Sequence, residues 1–484
     1  MDMKRLIVII FIIFGAFLTL CLYRTYAYDT SVVEEVPSTT DLEYTFKIGN
    51  SSIKQITVDS GETRYYDIVL GNPNNAKISY SVYYEMVSPS TKPDDFSIEY
   101  TSKSTGASTG KVDKNGNITL NIVVTNTSSS TVTVKIGTVA GYVNGGELTL
   151  GGGQVVIPKK VSAADFINSL YDNTTGDSGS GVYKIEHSAI PAESSATGSE
   201  IPAVTDYRYY GPNPNNYICL DMEGGSTCDD KHLYRIIGSI YEELEGVNRI
   251  KVIKATRLTD GTTSAFSWDL TSSGTYTNIW ATTTSENYSN SLTSGSQLMK
   301  LLNSGAWWNG TSGSYYNQRS TANVNFTNYK LSDKAKSYII TSRYYLGGYN
   351  KFEGVMTNQF YAYERGTVRY NTDRPLYWDG MVGLMYPSDY GYAAGNTCVT
   401  GTDPYNYNKG CKNKDWLNNI SYWQWFMSPY SGYSYYAFSL LAQGYVAYAS
   451  VPETSPVLPV FYLTPSTSIT GGTGTQTDPY LISK

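Results

Sequence analysis

The stretch YWQWFMSPYSGYSYYAFSLLAQGYVAYAS (422–450) crowds tyrosine, tryptophan and phenylalanine rings together without one charged side chain. Tyr436, Phe438 and Leu440 alternate with Tyr435, Ala437 and Ser439, the period of a strand with one buried face. Ala442-Gln443-Gly444 suits a tight hairpin with glycine where the backbone needs a positive φ. Residues 445–448 return as the partner strand, and VLPVFYL (457–463) reads as a third strand. The pattern predicts a three-stranded antiparallel meander whose core holds Phe438, Leu440, Val460 and Leu463. The core accounts for about half of the rings. The rest, Trp423, Trp425, Tyr430, Tyr433, Tyr435 and Tyr445, are the candidate ligand-binding residues. Rigid rings with a polar tip give contact area at low entropy cost. The competing reading is that loops fold back and bury them.

Working back along the chain, YYDIVL (65–70), ISYSVYYEM (78–86), FSIEY (96–100), ITLNIVVTN (118–126) and TVTVKIGTV (131–139) alternate apolar and polar residues. Turn signals such as GNPNNAK and SPSTKPDD separate them. Short alternating strands at this spacing predict an N-terminal all-β sandwich, Ig-like, over residues 41–160. SAADFINSLYDN (162–173) predicts a short helix capped by Ser162, and the Gly/Ser-rich stretches that follow it make 161–205 a helix plus linker. Beyond it the pattern becomes mixed. NYICLDM, LYRIIGSIY and RIKVIKATRL read as strands, SGSQLMKLLNSG (294–305) as a helix with Leu298, Leu301 and Leu302 on one face, LSDKAKSYIITSRYY (331–345) as a second helix capped by Ser332, and VGLMYPSDYGYA (382–393) as starting in a buried strand. This predicts a C-terminal α+β domain over 206–484.

At the N-terminus, Lys4 and Arg5 precede an unbroken apolar run from Leu6 to Tyr23. A basic flank before such a run is a secretion signal, and its length suits an uncleaved anchor that crosses the bilayer once. A cleaved signal peptide ending near Tyr28 is the alternative, and either places the rest of the chain outside the cell. Residues 1–28 are therefore assigned as signal anchor or signal peptide, with the membrane as partner. Past Cys21 four cysteines remain, in two close pairs. An oxidising compartment favours disulfides Cys219–Cys228 and Cys398–Cys411. Neither pair has a CxxC knuckle or the histidines of a metal site, so no metal and no cofactor is expected. The net charge of −6 excludes a nucleic-acid surface, which needs a basic stripe.

The run DYRYYGPNPNNYICL (206–220), LYRIIGSI (233–240), KVIKATRL (251–258), FSWD (266–269), LMKLLN (298–303) and YWQWFMSP resembles a large paralogous family of surface proteins in gut Gram-positive bacteria and their wall-less relatives. Its ending, a GYV hairpin, a PVxYL strand and a closing GGTGTQTDPYLI, is matched at 444–446, 459–463 and 471–482. The resemblance covers 180–484 and implies a C-terminal domain of unknown function. It is distantly similar to the C-type-lectin-like fold in its formylglycine-generating-enzyme form. SPVLP (455–459) departs from the GVRP-type arginine common in that family.

Chemistry has little material here. His187 and His232 are the only histidines and read as solvated residues. Asp269, Asp379, Asp389 and Asp415 lie near aromatic residues and are the carboxylates from which a glycosidase pair would have to come. The expectation is an adhesin-like, non-enzymatic surface protein presenting an extracellular glycan or protein ligand site. An extracellular polysaccharide-acting enzyme and a coat component without a specific ligand are the alternatives.

Overall fold

The computed structural model describes residues 52–71, 78–102, 111–112 and 116–142, with short strands at 33–35, 42–45 and 154–155, and then residues 162–484 apart from 223–226, 272, 286–293, 318–319, 371–373 and 419–422. The chain divides into two compact units, Met1–Val161 and Ser162–Lys484. The apolar run at Leu6–Tyr23 lies outside the described residues; among the described residues no helix is long and apolar enough to cross a membrane.

The first unit is built from two sheets. One joins Val33–Glu35, Ser52–Val58, Val132–Tyr142, Ile78–Ser88 and Gln154–Val155 in that order, with Lys111–Val112 also paired to Ile78–Ser88. The other joins Leu42–Thr45, Glu62–Gly71, Asn117–Asn126 and Phe96–Ser102. Alternation does what the sequence asks of it: along Asn117–Asn126, Leu120, Ile122 and Val124 are buried while the residues between them stay partly open. Ile56, Val58, Val82, Val132 and Val134 from the first sheet meet Tyr66, Leu70, Phe96, Ile122 and Val124 from the second in one core. The buried Asn126 side chain donates to the carbonyls of Val58 and Ser130, both at 2.9 Å, and so ties a strand of one sheet to a strand of the other. The arrangement is a β-sandwich-like one.

The second unit is organised by a nine-stranded sheet. Its main path runs Ile339–Ile340, Val460–Leu463, Val247–Lys254, Leu233–Glu242, Tyr217–Cys219, Tyr480–Ser483 and Ser468–Gly471, and Val204–Tyr210 joins Leu233–Glu242 while pairing with Gly181–His187. Leu233–Glu242 is buried almost throughout, as its run of apolar residues requires for a strand covered on both faces. At Gly238 the register shifts, and a Cβ there would lie 2.3 Å from the Tyr207 carbonyl, so only glycine lets Val204–Tyr210 come alongside. A separate three-stranded antiparallel sheet is formed by Gln424–Pro429, Tyr436–Leu441 and Tyr445–Ser450.

Several expectations need correction. Val460–Leu463 is not the third strand of the meander; it pairs with Val247–Lys254 and Ile339–Ile340 in the large sheet. Its nearly continuous apolar character suits an interior strand better than a half-exposed one. Residues 331–345 are not one helix: Asp333–Ser337 is helical and capped by Ser332, after which β-branched and aromatic residues take over as strands Ile339–Ile340 and Ser342–Tyr345. Residues 382–386 form only a bridge at Gly383 before helix Pro387–Ala393. Within 161–205, Gly181–His187 is a sheet strand paired along its whole length with Val204–Tyr210 rather than linker. The serine cap at Ser162 forms as the sequence indicates, accepting from the Asp165 N–H, and the structure adds a second at Ser296, which accepts from the Met299 N–H.

Candidate functional site

The three-stranded sheet presents the aromatic stretch. Its hairpin turns at Gly444 with φ of +79°, where a Cβ would crowd Asn418 and Lys412. Phe438 and Leu440 are buried, but so are Ala437 and Ser439, because this strand is covered on both faces. Phe360 of helix Thr357–Glu364 meets Phe438 edge-on at 5.7 Å.

The six candidate rings separate clearly. Trp425 is only 2% exposed; its indole N–H donates to the Phe266 carbonyl at 2.8 Å and its ring meets Trp268 edge-on. It is a core residue, because Phe266–Ser267 and its neighbours cover the face that would otherwise be open. Tyr430 is also buried, with its hydroxyl donating to the Asn350 carbonyl at 2.7 Å. Tyr433 at 48%, Tyr435 at 37% and Trp423 at 43% are exposed. Tyr445 is half-buried. Trp423 lies at the far end of strand Gln424–Pro429 from Tyr430.

The rings brought together form a continuous track. Tyr433 lies 5.6 Å from Tyr435, Tyr435 lies 4.6 Å from Tyr436, and Tyr436 lies 4.6 Å from Tyr448. From Tyr448 the track passes to Phe352 at 5.2 Å, to Tyr405 at 5.1 Å and to Tyr445 at 5.6 Å. Tyr430 supports it from below, 4.5 Å from Tyr448. Partial burial first, then the neighbouring phenols of Tyr436, Tyr433, Tyr276 and Tyr370, raise the Tyr435 hydroxyl above its ordinary pKa. Tyr276 and Tyr370 are also exposed.

The loop carrying these rings is held by a residue the sequence did not mark. Asn278 is buried, and its side-chain amide reaches the carbonyls of Tyr430, Tyr433 and Tyr436 at 2.9, 3.0 and 2.7 Å. Its own backbone N–H donates to the Ser434 carbonyl at 2.7 Å. Two amide hydrogens serve three acceptors, so one is shared. Asn278 lies far away in sequence within a polar loop, and only the fold shows what it does.

At the other end of the track is a cleft of about 440 Å³ lined by Tyr405 and Tyr445 with Glu353, Asn408, Lys409 and Gln443. Its walls are rigid. Segment Pro404–Lys409 is capped by Asp403, anchored by the buried Tyr407 hydroxyl on the Gly391 carbonyl at 2.9 Å, and followed at once by the Cys398–Cys411 disulfide. The Cys219–Cys228 disulfide is also formed, so both local pairings stand.

Between the large sheet and helices Thr357–Glu364 and Pro387–Ala393 lies a buried ionic network. Arg208 donates to Asp206 at 2.9 Å and to Asp389 at 2.8 Å, and Lys251 donates to Asp389 at 2.6 Å. His187 is not solvated; its Nε2 donates to Asp206 at 3.0 Å and its ring stacks on Tyr361 at 3.6 Å. Burial pushes the His187 pKa down. Burial opposes ionisation of Asp206 too, but Arg208, His187 and the Tyr241 N–H outweigh it and hold the carboxyl well below its usual range. Glu364 goes the other way: burial pushes it up to about 7 against the partial compensation of Arg365 and Ser388. His232 is fully buried as well, its Nε2 accepting the Ser332 N–H at 3.0 Å. Solvation failed as a reading for both histidines because each fills a polar gap that neighbouring elements create.

The four aspartates are each engaged separately. Asp389 holds the network, Asp379 pairs bidentately with Arg343 at 2.8 and 2.9 Å, and Asp269 accepts from the Thr277 and Gln297 N–H groups. Burial pushes Asp269 up to about 6 and Asp415 well above its ordinary value. Among the described residues no group of three His, Cys, Asp or Glu side chains is placed to hold a metal. Comparison with family models, characterised proteins and solved structures finds no match to this chain. The reading of the site therefore rests on its own geometry.

Proposed function

We propose that this is a bacterial cell-surface protein, anchored by its N-terminal apolar run, whose second unit binds an extracellular glycan or protein ligand on the tyrosine track. On this reading the first unit is an Ig-like spacer and the second a C-type-lectin-like module of the surface-protein family that 180–484 resembles. The observation that carries it is the pair of exposed rings Tyr433 and Tyr435, 5.6 Å apart at the head of the ring track, on a loop immobilised by Asn278. Isolated exposed apolar residues need no explanation, but a clustered and pre-ordered aromatic patch marks an interaction surface. The rings keep polar hydroxyl tips, which suits reversible recognition.

The test is capture of the full-length protein by intact cells or extracellular matrix, comparing wild type with a Tyr433→Ala/Tyr435→Ala double variant. Loss of capture at an unchanged melting temperature supports the proposal. Equal capture by both proteins refutes it and leaves a coat component without a specific ligand.

A further inference from the structure

The cleft at the end of the track differs from the track itself. Along the track the contacts are ring to ring; in the cleft, polar side chains that the protein does not use surround two rings. Asn408 and Gln443 make no side-chain hydrogen bond, and Glu353 and Lys409 form no ion pair, among the described residues; all four are exposed. Tyr405 and Tyr445 stand at 87° to one another, so one ring offers a face beside the other's edge. The protein spends the rigid hairpin at Gly444 and the capped, disulfide-flanked segment Pro404–Lys409 on placing these side chains.

The chemistry of that lining selects among ligands. A phosphate or carboxylate ligand would meet Lys409 but also Glu353, whose charges offset each other. An apolar peptide side chain would find no greasy pocket, since amides, charges and phenol rings make up the wall. A sugar meets every requirement. Its hydroxyl groups donate to Glu353 and to the Asn408 and Gln443 carbonyl oxygens, and accept from Lys409 and the amide N–H groups. Its C–H face lies on a tyrosine ring, the role that rigid amphipathic rings serve in binding sites. The cleft opens onto the ring track, whose steps of 5.1 Å from Tyr405 to Phe352 and 5.2 Å from Phe352 to Tyr448 continue away from it.

We infer that the Tyr405–Tyr445 cleft is the end subsite for an uncharged polysaccharide chain, whose further units lie along the track toward Tyr435; this rests on the ligand-binding reading above. Electrophoresis of the full-length protein in native gels containing mannan, β-1,4-glucan or an N-acetylglucosamine polymer tests it, with polygalacturonate as the acidic control. The expected result is retardation by a neutral polymer and none by polygalacturonate. Asn408→Ala/Gln443→Ala should weaken binding at least ten-fold without moving the melting temperature. Tyr435→Ala should weaken a hexasaccharide of the bound polymer while leaving its disaccharide unaffected. Equal retardation by polygalacturonate, or an unchanged affinity in the Asn408/Gln443 variant, overturns the inference. Absence of retardation in every gel, with cell capture still dependent on Tyr433 and Tyr435, overturns the carbohydrate cleft alone and points to a protein ligand. If capture is also independent of those tyrosines, both readings fall.

Discussion

Glu364→Gln asks whether the buried network carries a neutral acid at the end of helix Thr357–Glu364. Glu364 is 1% exposed and its carboxyl faces Ser388, whose N–H and hydroxyl lie 2.9 and 2.5 Å from its two oxygens. Burial, the largest influence, lifts its pKa from 4.5 to about 7. The sign follows from proton counting. Between pH 4.5 and 7 the unfolded chain has lost this proton and the folded chain keeps it, so stability falls as pH rises through that window. At about 1.4 kcal/mol per pH unit the gap corresponds to about 3 kcal/mol, lost by pH 7 and constant above it. Glutamine mimics the protonated acid: its oxygen can accept the Ser388 N–H and its amide can donate to the Ser388 hydroxyl. The two proteins should have similar stability at pH 4.5, and the variant should be more stable by about 3 kcal/mol at pH 8. Urea unfolding of both proteins from pH 4 to 8 measures this, and the difference between the curves cancels His187 and every other titrating group. A variant that is less stable by the same amount at every pH would refute the reasoning. It would mean that Arg365, 3.5 Å from Glu364, keeps the folded carboxyl ionised.

Trp425→Ala should cost about 3–5 kcal/mol by transfer and cavity terms, read by chemical denaturation, because the ring is core rather than ligand surface. Tyr433→Ala and Tyr435→Ala should each stay within about 0.5 kcal/mol of wild type in the same assay. Non-reducing peptide mapping should join Cys219 to Cys228 and Cys398 to Cys411, and replacing either pair by serine should cost about 3 kcal/mol in the chain-entropy account. Gly444→Ala should cost more than about 1 kcal/mol, since the position combines positive φ with crowding by Asn418 and Lys412; thermal melting measures it.

What the sequence made legible was local. Alternation marked the strands of the first unit because each has one buried face, and Ser162 and Ser332 announced helix starts because a hydroxyl meets the free N–H groups there. Gly444 announced its hairpin for an equally local reason. The candidate site was half legible: Tyr433 and Tyr435 are exposed, whereas Trp425 has the same composition around it and is buried. Nothing within a few residues of Trp425 says that Phe266 will cover it. The same applies to Asn278, Phe352 and Tyr405, which reach the track from three distant loops. His187 lies in a stretch that looks like linker, and only its pairing with Val204–Tyr210 puts it beside Asp206.

The place of Tyr480–Ser483 in the large sheet sets an order of assembly. This strand lies between Tyr217–Cys219, to which it runs parallel, and Ser468–Gly471. Ile218 therefore waits for Tyr480, and the helix that opens the unit waits for Thr467, whose carbonyl takes the Ala163 N–H at 2.7 Å. A chain made from its N-terminus carries the strand Val247–Lys254 with one flank unpaired until Val460–Leu463 has emerged, and Tyr217–Cys219 with one flank unpaired until Tyr480–Ser483 has emerged. Unpaired edges of that kind invite association with other chains. Such a nascent chain depends on being held apart from its neighbours, and the late strands Val460–Leu463 and Tyr480–Ser483 work as the latch that ends the risk.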